Sequence, residues 1–328
     1  MLIVVYTFGW FVLLGDEYKQ LGKQIAGGAG FISNFILWNE SGYFDNAAVT
    51  KPLLHLWSLG IEEQFYIIWP LLLWFTWKQR LNLLVITISL AVISFSLNII
   101  YVQAEPVATF YSPQTRFWEL MVGSILAYIM INNQNLLINL KQRYTNALSL
   151  LGIGLIIIGF LFITEKKYFP GWWALLPTLG TMLIIFAGSG AWFNRVILTN
   201  RTLVWFGLIS YPLYLWHWPL LSFARILEYQ RPSFEIRFIV VLISILLAWL
   251  TYQFVEKPMR FGSRGKIKTN ALLISMIIMG FIGHHCYKSD GFMYRSATNR
   301  LILNEGEIGN DLFDKYQNEK FNLCMSLD

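Results

Sequence analysis

Charge is scarce in this sequence. Only 13% of its 328 residues are Asp, Glu, Lys or Arg, against about 25% in a soluble domain. That deficit excludes an ordinary water-facing surface, and it is uneven: long apolar runs alternate with short polar connections. Cysteine is nearly absent, and Cys286 and Cys324 cannot build a disulfide framework or a thiolate metal site. The adjacent His284, His285 and Cys286 point to different sides of a helix, so no metal is expected there. The opening MLIVVYTFGWFVLL lacks a basic n-region and a small-residue cleavage site, so it reads poorly as a signal peptide. No internal repeat and no nucleic-acid module is visible. The net charge of +6 sits in short loops, where basic residues set topology rather than bind nucleic acid.

Apolar residues, in contrast, make up 56% of the chain and aromatics 17%. An apolar run of 18 or so residues crosses a hydrocarbon core of about 30 Å as a helix. The expected fold is therefore all-α: a polytopic integral membrane protein with about nine transmembrane helices. The expected spans are 1–14, 57–77, 81–101, 116–132, 146–164, 174–190, 203–225, 236–255 and 271–287. The stretch 22–39 is short, rich in glycine and carries Ser33 and Asn34, so it is expected to be re-entrant or interfacial. Residues 1–289 form the membrane domain; 290–328 form a polar linker too short for a core of its own.

Charge orients this layout. Lys78, Arg80, Lys141, Arg143, Arg195, Arg201, Lys257, Arg260, Arg264, Lys266 and Lys268 all fall on one side if each span from 57 onward crosses once. Lys19, Lys23, Lys51, Lys166, Lys167 and Arg231 fall on the other. The richer side is expected to be cytosolic, which places the C-terminal tail outside a plasma or inner membrane.

Three polar stripes break otherwise apolar helices. At about 100° per residue, His55, Ser58, Glu62 and Tyr66 share one face, with Glu63 beside them. Arg116 and Glu119 stand three residues apart and can pair on one helical face; the guanidinium suits an anionic or carbonyl oxygen. Ser210, Tyr214 and His217 share a third face, between Pro212 and Pro219, which free backbone carbonyls. Ionisable groups inside a span are costly and mark function by default. The run Glu256-Lys257-Pro258-Met259-Arg260 reads as a topology anchor at a cytosolic helix end.

Four stretches carry a resemblance: LLHLWSLGIEEQFYIIWP at 53–70, TRFWELMVGSILA at 115–127, SYPLYLWHWPL at 210–220 and FVEKPMR at 254–260. In order and spacing they resemble the acyltransferase-3 family of membrane acyltransferases, over about residues 1–290. Within it the chain looks like the peptidoglycan or lipopolysaccharide O-acetylase type. The resemblance implies an acyl-coenzyme A donor in the cytosol, acetyl-CoA first, no metal, and an acceptor hydroxyl on a surface glycan. It also implies two further N-terminal helices bearing an Arg and a His, and an appended domain with a Gly-Asp-Ser signature. The chain then reads as a fragment with little activity alone, and its own histidines as groups that position substrate or act secondarily.

A sugar hydroxyl is a poor nucleophile near neutral pH and needs a base; histidine, with a pKa of about 6.5, is the usual one. The candidate catalytic residues are therefore Glu62, His55 and His217, with Glu62 orienting a histidine. The candidate substrate-binding residues are Arg116, Glu119, Ser58, Glu63, Tyr66, Ser210 and Tyr214. The alternative is a transporter or exporter of a glycan precursor, which also needs buried polar stripes but commonly shows inverted repeats. No oligomeric state is read from the sequence.

Overall fold

The computed structural model describes residues 1–40, 48–133, 142–164, 167–228, 231–261 and 265–292. The tail beyond 292, with Cys324, and the basic residues Lys141, Lys166 and Arg264 lie outside the described residues. Among those described, all regular structure is helical: α1 (Leu2–Val12), α2 (Gly15–Ala29), α3 (Ser33–Glu40), α4 (Leu56–Lys78), α5 (Leu83–Tyr101), α6 (Pro106–Tyr111), α7 (Pro113–Asn132), α8 (Gln142–Phe162), α9 (Leu175–Ala187), α10 (Arg201–Glu228), α11 (Phe234–Thr251), α12 (Lys257–Phe261) and α13 (Gly265–Lys288).

Four stretches are long and apolar enough to cross a bilayer: Leu83–Tyr101, Arg143–Phe162, Phe234–Phe261 and Gly265–Lys288. Their large apolar side chains, such as Val92, Phe160, Leu246 and Ile277, face outward, as expected where lipid is the solvent. Helices α4, α7 and α10 have 23, 20 and 28 residues; they carry the three polar stripes and are correspondingly less apolar. The first expected span comes out shorter. Helix α1 has 11 residues, about 17 Å at 1.5 Å per residue. The expected span 174–190 is a 3₁₀ turn, Gly171–Ala174, running into α9, which stops at Gly188 with φ +70°.

The segment expected at 22–39 is the second half of a helical hairpin. Helix α2 starts earlier, at Gly15, where the Glu17 carboxylate accepts the Leu14 N–H at 3.1 Å. The chain reverses through Phe31, in the left-handed region at φ +56°, and α3 runs back until Glu40 meets Lys23 at 2.8 Å. The end of α3 thus stands beside the middle of α2. Helix α2 lies antiparallel to α13. Lys19 pairs with Asp290 at 2.6 Å at one end of the contact, and Ala29 packs near Gly280 further along.

Between these points the two backbones touch. A Cβ on Gly283 would sit 2.6 Å from the Gly22 carbonyl oxygen, and one on Gly22 2.8 Å from the Gly283 carbonyl oxygen. Small residues at such crossings let helices pack without a hydrophobic driving force. Gly283→Leu is therefore expected to separate α2 from α13 and sharply lower the yield of monodisperse protein in detergent gel filtration. A wild-type elution profile and melting temperature for this variant would show that the contact is dispensable.

Candidate functional site

The first polar stripe and the third meet. His55 caps the start of α4, 7% exposed, with its ring centroid 5.1 Å from that of Tyr214 and 6.0 Å from that of His217 on α10. The Tyr214 hydroxyl donates to the His55 carbonyl oxygen. Having spent its proton there, it accepts from the Ser58 hydroxyl at 2.7 Å. Pro219 cannot donate to the Leu215 carbonyl, and that carbonyl lies beside the His55 ring without completing a hydrogen bond. Both ring nitrogens of His55 are buried with no hydrogen-bond partner among the described residues.

His217 is held differently. Its Nδ1 lies 3.1 Å from the Leu213 carbonyl oxygen, one turn back on α10. A carbonyl only accepts, so Nδ1 carries a proton, and in the tautomer this fixes Nε2 is the nitrogen with the lone pair.

The strand of chain leading to His55 is fixed from three sides. Leu53 N–H donates to Gln24 Oε1 on α2 at 3.3 Å. Trp218 Nε1 on α10 donates to the Lys51 carbonyl at 2.9 Å. The Lys51 ammonium sits 3.1 Å from Glu40 on α3. Asn34, fully buried, donates to the Tyr111 carbonyl at 3.1 Å and accepts from Gln64 of α4 at 2.9 Å. The α2–α3 hairpin is thereby bolted to α4. Charge counting assigns Lys23 and Lys51 to topology alone; their shared partner Glu40 is far from both in sequence and gives no local signal.

Arg116 approaches α4 from elsewhere. Its Nε pairs with Glu119 Oε1 at 3.1 Å, as the spacing predicts. Its guanidinium carbon lies 5.4 Å from the centroid of Trp57, 5.7 Å from Phe110 and 5.5 Å from Phe169, within cation–π range of all three. Nη1 is buried without a hydrogen-bond partner among the described residues. Trp57 lies about 200° around α4 from His55, so the histidine pair and the arginine occupy different faces of that helix.

A family model described as an acyltransferase domain matches residues 1–253. This chain belongs to the acyltransferase-3 family. It is 31% identical over 276 residues to a protein named peptidoglycan O-acetyltransferase OatA from Listeria monocytogenes, covering 79% of this chain and 43% of that protein. It is 31% identical over 307 residues to a putative peptidoglycan O-acetyltransferase, YrhL, from Bacillus subtilis, covering 86% and 48%. A putative O-acetyltransferase of Staphylococcus aureus is 29% identical over 274 residues, covering 79% and 45%. The chain spans less than half the length of these relatives. No solved structure matches it. Family membership and the four apolar helices together make it a helical membrane protein.

In this family member the remaining candidates are more dispersed. Glu62 stands two turns below His55, about 10 Å along the helix axis. Among the described residues no hydrogen bond joins it to either histidine; Glu63 acts on it, and it acts in turn on Tyr211 and Tyr214. Glu63 acts on Tyr211, as does Glu256 from the turn that follows α11. Ser210 is exposed and bonds back to the Gly207 carbonyl at 2.8 Å. Tyr66 is exposed as well. The structure thus gathers His55, Ser58, Tyr214 and His217, pairs Arg116 with Glu119, and leaves Ser210 and Tyr66 outside both groups. Among the described residues no cluster of three or more metal-ligating side chains occurs.

The Tyr214 hydroxyl serves two partners at once, so Tyr214→Phe strands the His55 carbonyl and the Ser58 hydroxyl. Leaving buried polar groups unmet costs about 1–3 kcal/mol each. We expect Tyr214→Phe to lower the melting temperature in detergent by several degrees, and Ser58→Ala by less. Equal, negligible shifts for both would show that this bond does not hold α4 to α10.

Proposed function

We propose that this protein is an O-acyltransferase of the plasma or inner membrane. It moves an acyl group, acetyl first, from cytosolic acyl-coenzyme A to a hydroxyl of a cell-surface glycan: peptidoglycan, lipopolysaccharide O-antigen or exopolysaccharide. The observation that carries this reading is the His217 imidazole, with Nδ1 at the Leu213 carbonyl and Nε2 the other ring nitrogen, beside a His55 ring that completes no hydrogen bond among the described residues. The names of the relatives support the acetyl group and the glycan acceptor.

In this reaction the acceptor oxygen attacks the thioester carbonyl carbon. Its proton passes to His217 Nε2 as the C–O bond forms. When the tetrahedral intermediate collapses, the C–S bond breaks and His217 returns the proton to the departing thiolate. His55 binds the acceptor through a ring nitrogen, and the Tyr214–Ser58 pair holds His55 in place. Arg116, paired with Glu119, holds the acyl donor from the other face of α4. Glu62 and Glu63 set the electrostatics between α4 and α10 on the cytosolic side of the histidines.

The proposed topology has nine crossings, with the α2–α3 hairpin entering and leaving on the outer side and residues 256–270 in the cytosol. The Lys23–Glu40 pairing and the basic-residue bias support it. After replacing Cys286 and Cys324 with serine, cysteines at Lys19 and Val49 are expected to react with an impermeant thiol reagent in intact cells. One at Lys266 is expected to react only after lysis. Labelling of Lys266→Cys from outside would reverse the orientation; labelling at only one of the other two would make the hairpin a full crossing.

Transfer is tested with labelled acetyl-coenzyme A in membranes of the host strain, lacking the gene or carrying it together with the two N-terminal helices that the resemblance implies, by following label into surface glycan; the chain alone is expected to give little. Glu62→Gln and Arg116→Ala are each expected to reduce transfer by on the order of 10²-fold or more at matched membrane insertion, and His217→Ala also to impair it. Near-wild-type transfer by the first two would defeat the site assignment and leave the family standing. No gene-dependent label would defeat the enzyme reading.

A further inference from the structure

The histidines close only the outer end of a longer opening. Helices α4 and α10 are tied by the Ser58–Tyr214 bond and by the Tyr214 donation to the His55 carbonyl. Below that tie, toward the cytosolic side of the proposed topology, no hydrogen bond or ion pair joins the two helices among the described residues. Their polar faces stay uncovered there. Tyr66 is 57% exposed and Tyr211 50%; Ser210 is exposed, and Glu62 and Glu63 are half-buried. By helix rise, Tyr66 lies about 12 Å below the tie and Tyr211 about 9 Å below His217.

A third element reaches this opening. After α11 the chain makes a π-helical turn, Tyr252–Glu256, a distortion frequent at functional sites. It brings Glu256 to where its charge acts on Tyr211, as the charges of Glu62 and Glu63 do. One Glu256 oxygen pairs with the exposed Arg260 at 3.0 Å. The other is buried with no hydrogen-bond partner among the described residues. The run 254–260, which charge counting makes a topology anchor, thus also borders the opening.

Ionisable groups at membrane depth face a cavity or a partner. Three carboxylates together repel an anion, so a phosphate is refused. A neutral chain carrying amide groups is suited: its N–H groups donate to Glu62 and Glu63, and its carbonyls accept from Tyr211. The buried His55 ring, which completes no hydrogen bond among the described residues, marks the closed end. The opening runs along the same faces of α4 and α10 as the two histidines, so a chain lying in it points its tip at His217.

We propose that this cleft holds the amide-bearing arm of acyl-coenzyme A, with the thioester end toward His217 and the phosphates left in the cytosol beside Arg260. This rests on the acyl-transfer reading above and adds the path of the donor to it.

The test uses inverted membrane vesicles carrying the chain with the two further N-terminal helices, and with Cys286 and Cys324 replaced by serine. A single cysteine is placed at Ser210, at Tyr66 on the facing helix, or at Lys266 as a cytosolic reference. All three are expected to react with an impermeant maleimide. S-methylpantetheine and S-methyl-coenzyme A, each at ten times its half-protecting concentration, are expected to slow Ser210→Cys and Tyr66→Cys by about tenfold. Adenosine 3′,5′-bisphosphate is expected to protect neither, and Lys266→Cys is expected to be slowed by none of the three. Either cleft position decides if the other variant fails to insert. No labelling in the cleft means that lipid or protein fills it, and overturns the proposal. So does protection by the bisphosphate but not by the arm, or equal slowing of Lys266→Cys. In the Ser210→Cys protein, Glu63→Gln and Tyr211→Phe are each expected to raise the half-protecting concentration of S-methylpantetheine by about tenfold, as loss of one hydrogen bond predicts. No change in either variant also sinks the assignment. Transfer to glycan without protection leaves the enzyme reading standing and removes the cleft; protection without transfer does the reverse.

Discussion

Backbone that is not helical can sit against lipid only if protein supplies every hydrogen bond that water would. The five residues from Lys51 to His55 are where this protein meets that demand. They approach α4 as turns rather than as continuous helix, and three side chains from two other helices complete their bonds: Gln24 of α2 takes the Leu53 N–H, and on α10 Trp218 gives to the Lys51 carbonyl and Tyr214 to the His55 carbonyl. These clamps engage the main chain and leave the His55 imidazole alone. The backbone is immobilised while the ring nitrogens, beside the Leu215 carbonyl, complete no hydrogen bond among the described residues.

That condition also explains the placement of the α2–α3 hairpin. It touches neither His217 nor Arg116 directly among the bonds described. It delivers Gln24 and Glu40 to the His55 strand, and through Asn34 it reaches both Gln64 and the Tyr111 carbonyl. Tyr111 closes the short helix that carries Phe110. One hairpin thus supports both faces of α4, the face with the histidines and the face with the arginine.

Much of this was legible in the sequence where the signal was local. Periodicity placed Ser58 below His55 on one helical face and paired Arg116 with Glu119, because residues three or four apart on a helix are neighbours by construction. Gly-rich sequence with Ser33 and Asn34 marked the hairpin as unlike a simple span. Its true start at Gly15 was hidden, because α2 is polar on one side and packs on α13, a partner that lies far along the chain. Phe110 and Phe169 could not be singled out among 25 phenylalanines; only the three-dimensional meeting with Arg116 distinguishes them. Glu62 is the converse case. It shares a helical face with His55, yet helix rise alone keeps the two about 10 Å apart along the axis.

The contact between α2 and α13 joins residues 271 positions apart, Lys19 and Asp290. During synthesis the hairpin emerges near the beginning and its cover near the end. Until α13 has entered the bilayer, the backbone groove at Gly22 has nothing against it, and the polar side chains of α2 face lipid or water. Contacts of such long sequence separation form late because the intervening chain must first be ordered. The α2–α13 contact is therefore expected to close after the helices between them are in place. Such an arrangement ties the seating of the hairpin, and of the Gln24 and Glu40 side chains it delivers, to the arrival of α13.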